Sequence, residues 1–438
     1  VPLLIGGVTM LFAAVPQLNA LRVEPLAYTS WTFYADALAA SFVLFFGAVL
    51  VGLLFVLTVP RVLNLFLKPG KVYSLYGFHY GIHRVIVRLT NVRFFNRIFG
   101  DSSAIVHYLR ALGYDLSRVE QTGSNFGTEV KHEIPFLSAV GSGTMVADGL
   151  SIINTEFSST SFRVSRVSIG PRNFLGNRIA YPPGGRTGEN CLLATKVMVP
   201  VTGAVREGVG LLGSPAFEIP RSVERDTRFD ELKDPAALRR LLAAKNRHNA
   251  ATAALFLFVR WIYVCGLFLL ASLGIGFFDA YDVAAIALSF VLTPLYTACY
   301  FVVVERVETA FHALRPLYCS IYVRDFWRRE RYWKVPAEVY LHAFNGTPFK
   351  NVIWRLLGVR MGRRIFDDGC YLTERALGSI GDDCTLNAGS VIQCHSQEDG
   401  TFKSDRTVVG AGCTLGVGAF VHYGVTVGDA AVLAPDPS

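Results

Sequence analysis

The sequence predicts a chain of mixed α and β class, in which a transmembrane helix hairpin followed by a parallel β-helix of hexapeptide repeats occurs twice in tandem. Three observations predict it: apolar segments long enough to span a bilayer, glycine-rich segments with a six-residue period, and a register in which the second half repeats the first. Composition agrees. Of 438 residues, 52% are hydrophobic and 17% charged, with mean hydropathy +0.37. That balance excludes a disordered or collagen-like chain and argues against an ordinary soluble enzyme. Forty glycines argue equally against an all-helical membrane bundle.

A bilayer core of about 30 Å needs about 20 apolar residues per helix. Residues 1–18 carry no charge, and residues 37–60 are uncharged between Asp36 and Arg61. Residues 261–278 follow Arg260, and residues 283–304 run uncharged from Asp282 to Glu305. The reading is four spans in two hairpins. A signal peptide does not fit the first, which has no basic n-region and is followed by a second span. Lys and Arg gather on one side, as Arg61, Lys68 and Lys71, then Arg239, Arg240, Lys245 and Arg247, then Arg324, Arg328, Arg329 and Arg331, while the connections on the other hold Arg22 alone. Both large polar segments are therefore expected in the cytoplasm. Arg260 is expected to reach the cytoplasmic interface with its long side chain.

The domain reading is a hairpin at 1–60, interfacial helices and a first β-helix at 61–220, a charged connector at 221–248, a second hairpin at 249–305, and the second helical and β-helix unit at 306–438. An offset of 240 places Val140-Gly141 on Ile380-Gly381, Ile169-Gly170 on Val409-Gly410 and Leu175-Gly176 on Leu415-Gly416. Upstream the offset becomes 245, where Phe99, Arg110, Leu112 and Gly113 meet Phe344, Arg355, Leu357 and Gly358. Within the second copy the apolar positions are Ile380, Leu386, Ile392, Val409, Leu415, Val421, Val427 and Leu433. In the first they are Val140, Val146, Ile152, Ile169 and Leu175, with Tyr181 and Thr187 as weaker members before Leu193. A six-residue period of this kind predicts short strands stacked in a prism with the apolar residue inward. Gly, which commonly follows it, is expected to relieve backbone strain at the corner.

Helices are expected at Ser102–Leu112 and Thr347–Leu357, ending on Gly113 and Gly358. Tyr73–Arg97 and Tyr318–Trp333 combine aromatics with Arg, as an interfacial helix on anionic lipid does. The net charge of +8 at first permits nucleic acid, but the position of these basic residues beside membrane spans points to lipid and not to nucleic acid. Eight cysteines contain no C-x-x-C pair and no His partner at zinc spacing, so they read as reduced thiols facing the cytosol, with no metal site. The chain opens on Val1-Pro2 and stops at Pro437-Ser438 within the repeat pattern, which reads as a piece of a longer polypeptide.

Hexapeptide β-helices resemble acyltransferases, which imply a left-handed coil, a homotrimer with the site between neighbouring prisms, and a His general base. Gly213-Ser214-Pro215-Ala216 resembles the exit segment that follows such prisms. The alternation of hairpins and hexapeptide units is similar to the C-terminal half of membrane-embedded, single-module nonribosomal peptide synthetases of the ε-poly-L-lysine synthetase type. The stretches that carry the resemblance are NCLLATKVMVPVTGAVREGVGLLGSPAFEIPR and QCHSQEDGTFKSDRTVVGAGCTLGVGAFVHYGVTVGDAAVLAPD. It implies adenylation and carrier domains elsewhere in the polypeptide, a phosphopantetheine arm on that carrier, ATP used only by the adenylation domain, and a third hexapeptide unit or homo-oligomer. The implied reaction is aminolysis of a carrier-bound aminoacyl thioester by the amine of an amino acid or growing chain. A membrane-tethered acyl-CoA acyltransferase and a non-catalytic scaffold or export module are the alternatives.

Such a reaction needs a base for the amine. Of nine His, seven lie in helical, interfacial or connector segments, and two stand out in the second β-helix: His395 meets Thr155 of the first copy, and His422 meets Pro182. His395 opens the break in register between Ile392 and Val409 and is the first candidate base; a solvated loop His is its alternative. His422 follows an inward Val and is the second candidate, or else lines the wall. Glu398 and Asp399 are candidates for orienting the imidazole or binding a cationic amine, against a solvated acidic loop. Lys403, Lys196 and Arg206 are the candidates for the phosphopantetheine phosphate. Cys394 reads as a small apolar thiol, and Asn154, Glu156 and Arg163 are the possible contributions of the first copy.

Overall fold

A computed structural model describes residues 28–116, 126–127, 129–220, 234–398 and 400–435. The expected first span at 1–18, residues 221–233 of the connector and Asp399 lie outside the described residues. Among the described residues, three helices are long and apolar enough to cross a membrane: Trp31–Asn64, Ala236–Gly276 and Val283–Glu308. Their outer faces carry exposed Leu50, Val51, Phe290 and Val291, side chains that only lipid or another apolar surface would cover. The second helix begins inside the charged connector, at Pro235, where Asp234 accepts from Ala236 N and Ala237 N. An Asp cap followed by Pro at the first helical position starts the helix there, not at the hydrophobic boundary.

The second half builds three parallel sheets that the chain visits in turn. One holds Arg360–Met361, Gly378–Ile380, Thr407–Val409 and Thr426–Val427; the next Phe366–Asp367, Thr385–Leu386, Thr414–Leu415 and Val432–Leu433; the third Tyr371–Leu372, Val391–Ile392 and Phe420–Val421. Ile380, Leu386, Ile392, Val409, Leu415 and Val421 are all buried in one apolar core. The first half repeats the arrangement, with His132, Ile152 and Tyr181 on one sheet and Val146, Leu175, Leu193 and Leu211 on another. Its weaker hexad members turn inward all the same. Tyr181 Oη and Thr187 Oγ1 lie 2.8 Å apart, and Asn173 Nδ2 donates to Thr187 Oγ1 at 3.2 Å, so each polar tip finds a partner inside the prism.

The duplication extends to hydrogen bonds. Arg61 donates to Ala111 O at 2.8 Å, and Arg306, 245 residues on, donates to Leu356 O at 2.7 Å. In both copies the basic residue that ends a long helix meets the C-terminal carbonyls of the helix before the prism, where the helix dipole favours a cation. Gly113 and Gly358 follow those carbonyls with φ of 121° and 103°.

The aromatic-basic stretches differ from a plain interfacial helix. Each opens with a strand, Val72–Ser74 or Leu317–Ser320, before the helices Phe78–Thr90 and Arg324–Lys334. The strand pairs antiparallel with a hairpin that leaves the prism: Val72–Ser74 with Ser161–Val164, and Leu317–Ser320 with Thr401–Ser404. The helices turn Ile82 and Ile86, or Phe326, Trp327 and Tyr332, into the protein. Tyr73, Phe326 and Trp327 pack against the hairpins, while Tyr76 and Phe78 stay exposed.

Glycines such as Gly381 and Gly410, which follow an inward apolar residue, have a different reason from the expected one. Gly381 and Gly410 do not have positive φ; a Cβ on Gly381 would sit 2.6 Å from Ala411 N in the coil above. The coils stack too closely there for any side chain. The left-handed positions are other glycines, such as Gly389 and Gly418, each with φ of 69°. Gly381→Ala is expected to destabilise the second unit by about 1–3 kcal/mol, read as a lower unfolding midpoint. Gly428→Ala, where a Cβ meets nothing within 4 Å, is expected to stay within about 0.5 kcal/mol of the parent.

Candidate functional site

The two prisms lie side by side over the helix pair, and a cavity of about 1500 Å³ runs between them. Gln393, His395 and Tyr371 line it from the second unit, Asn177 and Arg178 from the first, and Arg260 and Thr297 from the long helices. Across the seam Asn177 Nδ2 donates to Gln393 Oε1 at 3.4 Å, and Lys196 Nζ donates to Gly418 O at 3.4 Å. Arg260 does not reach outward. Its Nη2 donates to Pro336 O at 3.1 Å, and its guanidinium lies 4.5 Å from the Phe256 ring centre.

His395 sits where the hairpin leaves the prism, and its Nδ1 lies 2.8 Å from Glu374 Oε1. Glu374 is fully buried. It is held from two more directions, by Trp333 Nε1 donating at 2.9 Å and Thr373 Oγ1 donating at 2.5 Å. Trp333 also stacks on the imidazole, ring centres 4.5 Å apart. Burial works against a charge on Glu374, but the His395 charge and these hydrogen bonds outweigh it and hold the carboxyl below its usual range. The stabilisation from the ionised Glu374 carboxylate is therefore present above the ordinary glutamate value of about 4.3 and is lost as pH falls through the depressed one. With Nδ1 committed to Glu374, Nε2 is the ring nitrogen left to exchange a proton.

The other predicted residues are placed as follows. His422 lines the same cavity; its Nδ1 accepts from Tyr423 N at 3.1 Å, and burial, with the His395 charge, lowers its pKa. Lys403 also lines the cavity, its Nζ 5.4 Å from the Tyr318 ring centre. Lys196 stands at the seam on Gly418. Arg206 is elsewhere: it donates to Ala204 O at 2.6 Å, lies 3.8 Å from Glu218, and does not line the cavity. Glu398 is a strand residue opposite Thr401 in the hairpin, and Asp399 lies outside the described residues. Cys394 is buried, and burial, with the Glu374 charge next, pushes its thiol up to about 12, which leaves it unreactive. Asn154 is spent on backbone groups of Ile134 and Ser165, and Glu156 and Arg163 pair with each other on the surface. Among the described residues no group of three or more His, Cys, Asp or Glu is placed to hold a metal.

Sequence reasoning missed Glu374 and Trp333. The comparison of copies that singled out His395 also contained a signal for the first, since Glu374 falls on Ile134 at the same offset of 240. The first unit thus lacks the acid as well as the imidazole. There Thr155 Oγ1 lies 2.9 Å from His83 Nε2, and burial, helped by Arg84, lowers the His83 pKa to about 4. That imidazole is a neutral core group packed near Phe157 and Phe162.

No family model matches the chain. Over 353 residues it is 24% identical to the delta-poly-L-ornithine synthetase of Acinetobacter baumannii (strain AB307-0294), a match covering 77% of this chain and 26% of that protein. The chain is similar to a poly-amino-acid synthetase. It spans about a quarter of that curated relative's length. Among solved structures, a maltose O-acetyltransferase from Clostridium difficile 630 aligns with 35% of this chain and 94% of its own, at 16% identity and a TM-score of 0.27.

Proposed function

We propose that this chain is the amide-bond-forming, acyltransferase-like part of a membrane-bound nonribosomal peptide synthetase that makes a poly-amino acid. The carrying observation is the Glu374–His395 pair, held by Trp333 in the wall of a cavity between two prisms. The similarity to a poly-L-ornithine synthetase supports the same reading. In it the two stacks are left-handed hexapeptide β-helices, each after a membrane hairpin and both facing the cytoplasm. Adenylation and carrier domains belong to the rest of the polypeptide, and a third unit or a second copy completes the assembly.

A phosphopantetheine arm would supply the acyl group as a thioester; Lys403 and Arg178, two of the basic residues that line the cavity, are assigned to its phosphate in this reading. The acceptor amine enters as an ammonium and must lose a proton before it attacks. His395 Nε2 takes that proton, while Glu374 keeps Nδ1 protonated and stabilises the imidazolium. Nε2 passes that first proton to water; as the C–N bond forms and the C–S bond breaks, it takes the second proton from the attacking nitrogen and gives it to the departing thiolate. The acyl donor is already activated, so orientation and the removal of two protons from the acceptor nitrogen are the main demands on the site.

The test presents an aminoacyl-pantetheine thioester and a free amino acid to the full-length polypeptide in lipid vesicles. Accumulation of the amide-linked dimer is expected. Release of the free acid alone, with no amide at any acceptor concentration, would sink the proposal.

A further inference from the structure

The helix that presents Trp333 to the dyad carries Glu330 one turn earlier, on the same face. Glu330 Oε1 accepts from Lys245 Nζ at 2.8 Å, and the two side chains are 6% and 2% exposed. Glu330 Oε2, by contrast, is buried with no hydrogen-bond partner. A carboxylate oxygen stripped of water and left without a donor is costly unless something else supplies one. Glu330 lines the cavity that His395 lines, and so does Asp101. Asp101 belongs to the first unit and turns at a φ of 50°, and its carboxyl responds to the charges of both Glu330 and His395. The neighbouring Lys334 donates to Gly100 O at 2.8 Å, and its charge, with that of Lys245, acts on both carboxyls.

We propose that Glu330, through its unpartnered Oε2, and Asp101 form the subsite that holds the primary ammonium of the acceptor amine. This rests on the amide-forming reading and names where its second substrate sits. The carboxylate that would receive the ligand already receives an ammonium, Lys245, on its other oxygen, so the required chemistry exists on the same side chain. A primary ammonium has three N–H donors, enough for Oε2, for Asp101 and for the base that removes its proton. Burial pushes Glu330 up to about 7 and Asp101 up to about 6, the latter also raised by Glu330, so a bound cation would stabilise the charged form of both. The two carboxyls come from different units, which gives the first unit a role although it lacks the dyad.

The test is binding of 1,4-diaminobutane to the purified chain in detergent micelles, followed by calorimetry, with 1,4-butanediol as the uncharged probe. Glu330→Gln is expected to weaken the diamine by about tenfold or more, because an amide N–H would face the ammonium. Asp101→Asn is expected to weaken it by several-fold; Asn tolerates the left-handed backbone at that position, so this variant decides the matter if Glu330→Gln does not fold. Diamine affinity unchanged in the folded variants, or no diamine binding by the parent chain, would overturn the subsite. A Glu330-dependent diamine site in a polypeptide that makes no amide would instead retire the amide-forming reading and leave the cation site standing.

Discussion

Replacing His395 by alanine is expected to slow amide formation by about 10²–10⁴-fold, the usual contribution of a positioned general base. The loss should fall on the single-turnover rate at saturating acceptor, since the imidazole acts on the proton and not on acceptor binding. Glu374→Gln should produce a smaller loss of the same kind. The amide can still receive the Trp333 N–H, but it no longer stabilises an imidazolium at Nδ1. His422→Ala is expected to stay within about threefold, because His422 lines the wall without a carboxylate partner. Undiminished product from His395→Ala would remove the dyad from the mechanism and favour a scaffold or export role for this part of the polypeptide.

The largest expected loss of stability comes from Asp367→Ala. Asp367 occupies the inward position in the opening coil of the second prism and is fully buried. Its carboxylate takes Lys350 Nζ at 2.8 Å, Trp354 Nε1 at 2.7 Å, Cys370 N at 2.8 Å and Gly369 N at 3.0 Å. Lys350 and Trp354 stand on the helix Pro348–Leu357, so this one side chain joins the helix to the β stack. Alanine would leave a buried ammonium and three N–H groups with fewer partners, at a cost of about 3–5 kcal/mol. For a unit of this size that corresponds to a fall of roughly 6–20 °C in the unfolding midpoint, measured by intrinsic tryptophan fluorescence in detergent. A fall of less than about 2 °C would show that the carboxylate does not join the helix to the stack.

The same residue shows where the hexad pattern stops being informative. Ile380, Leu386 and Ile392 are recognisable as inward residues because apolar side chains recur every six positions and Gly follows them. Asp367 breaks the pattern by being charged, and only the helix beside it explains how a carboxylate is tolerated inside. Glycine was legible as a requirement but not in its cause: stacked coils approach too closely at Gly381 for a Cβ, a fact about the neighbouring coil and not about the backbone of Gly381 itself. Arg260 follows the same rule. Its place at the end of an apolar run predicts the interface, and packing adds that its guanidinium lies on Phe256 and lines the cavity.

By itself the sequence determined what repeats locally: the apolar spans, the six-residue period, the duplication at offsets of 240 and 245, and the two imidazoles present in one copy alone. Those signals are legible because each is written within a few residues and written more than once. The tertiary structure decided which of these groups work together. Glu374 meets His395 across 21 positions, Trp333 meets Glu374 across 41, and Lys245 meets Glu330 across 85. No period connects such residues. They are joined by a hairpin leaving the prism and a helix clamped over it, which bring distant side chains into a space where water is scarce and a charge needs a partner.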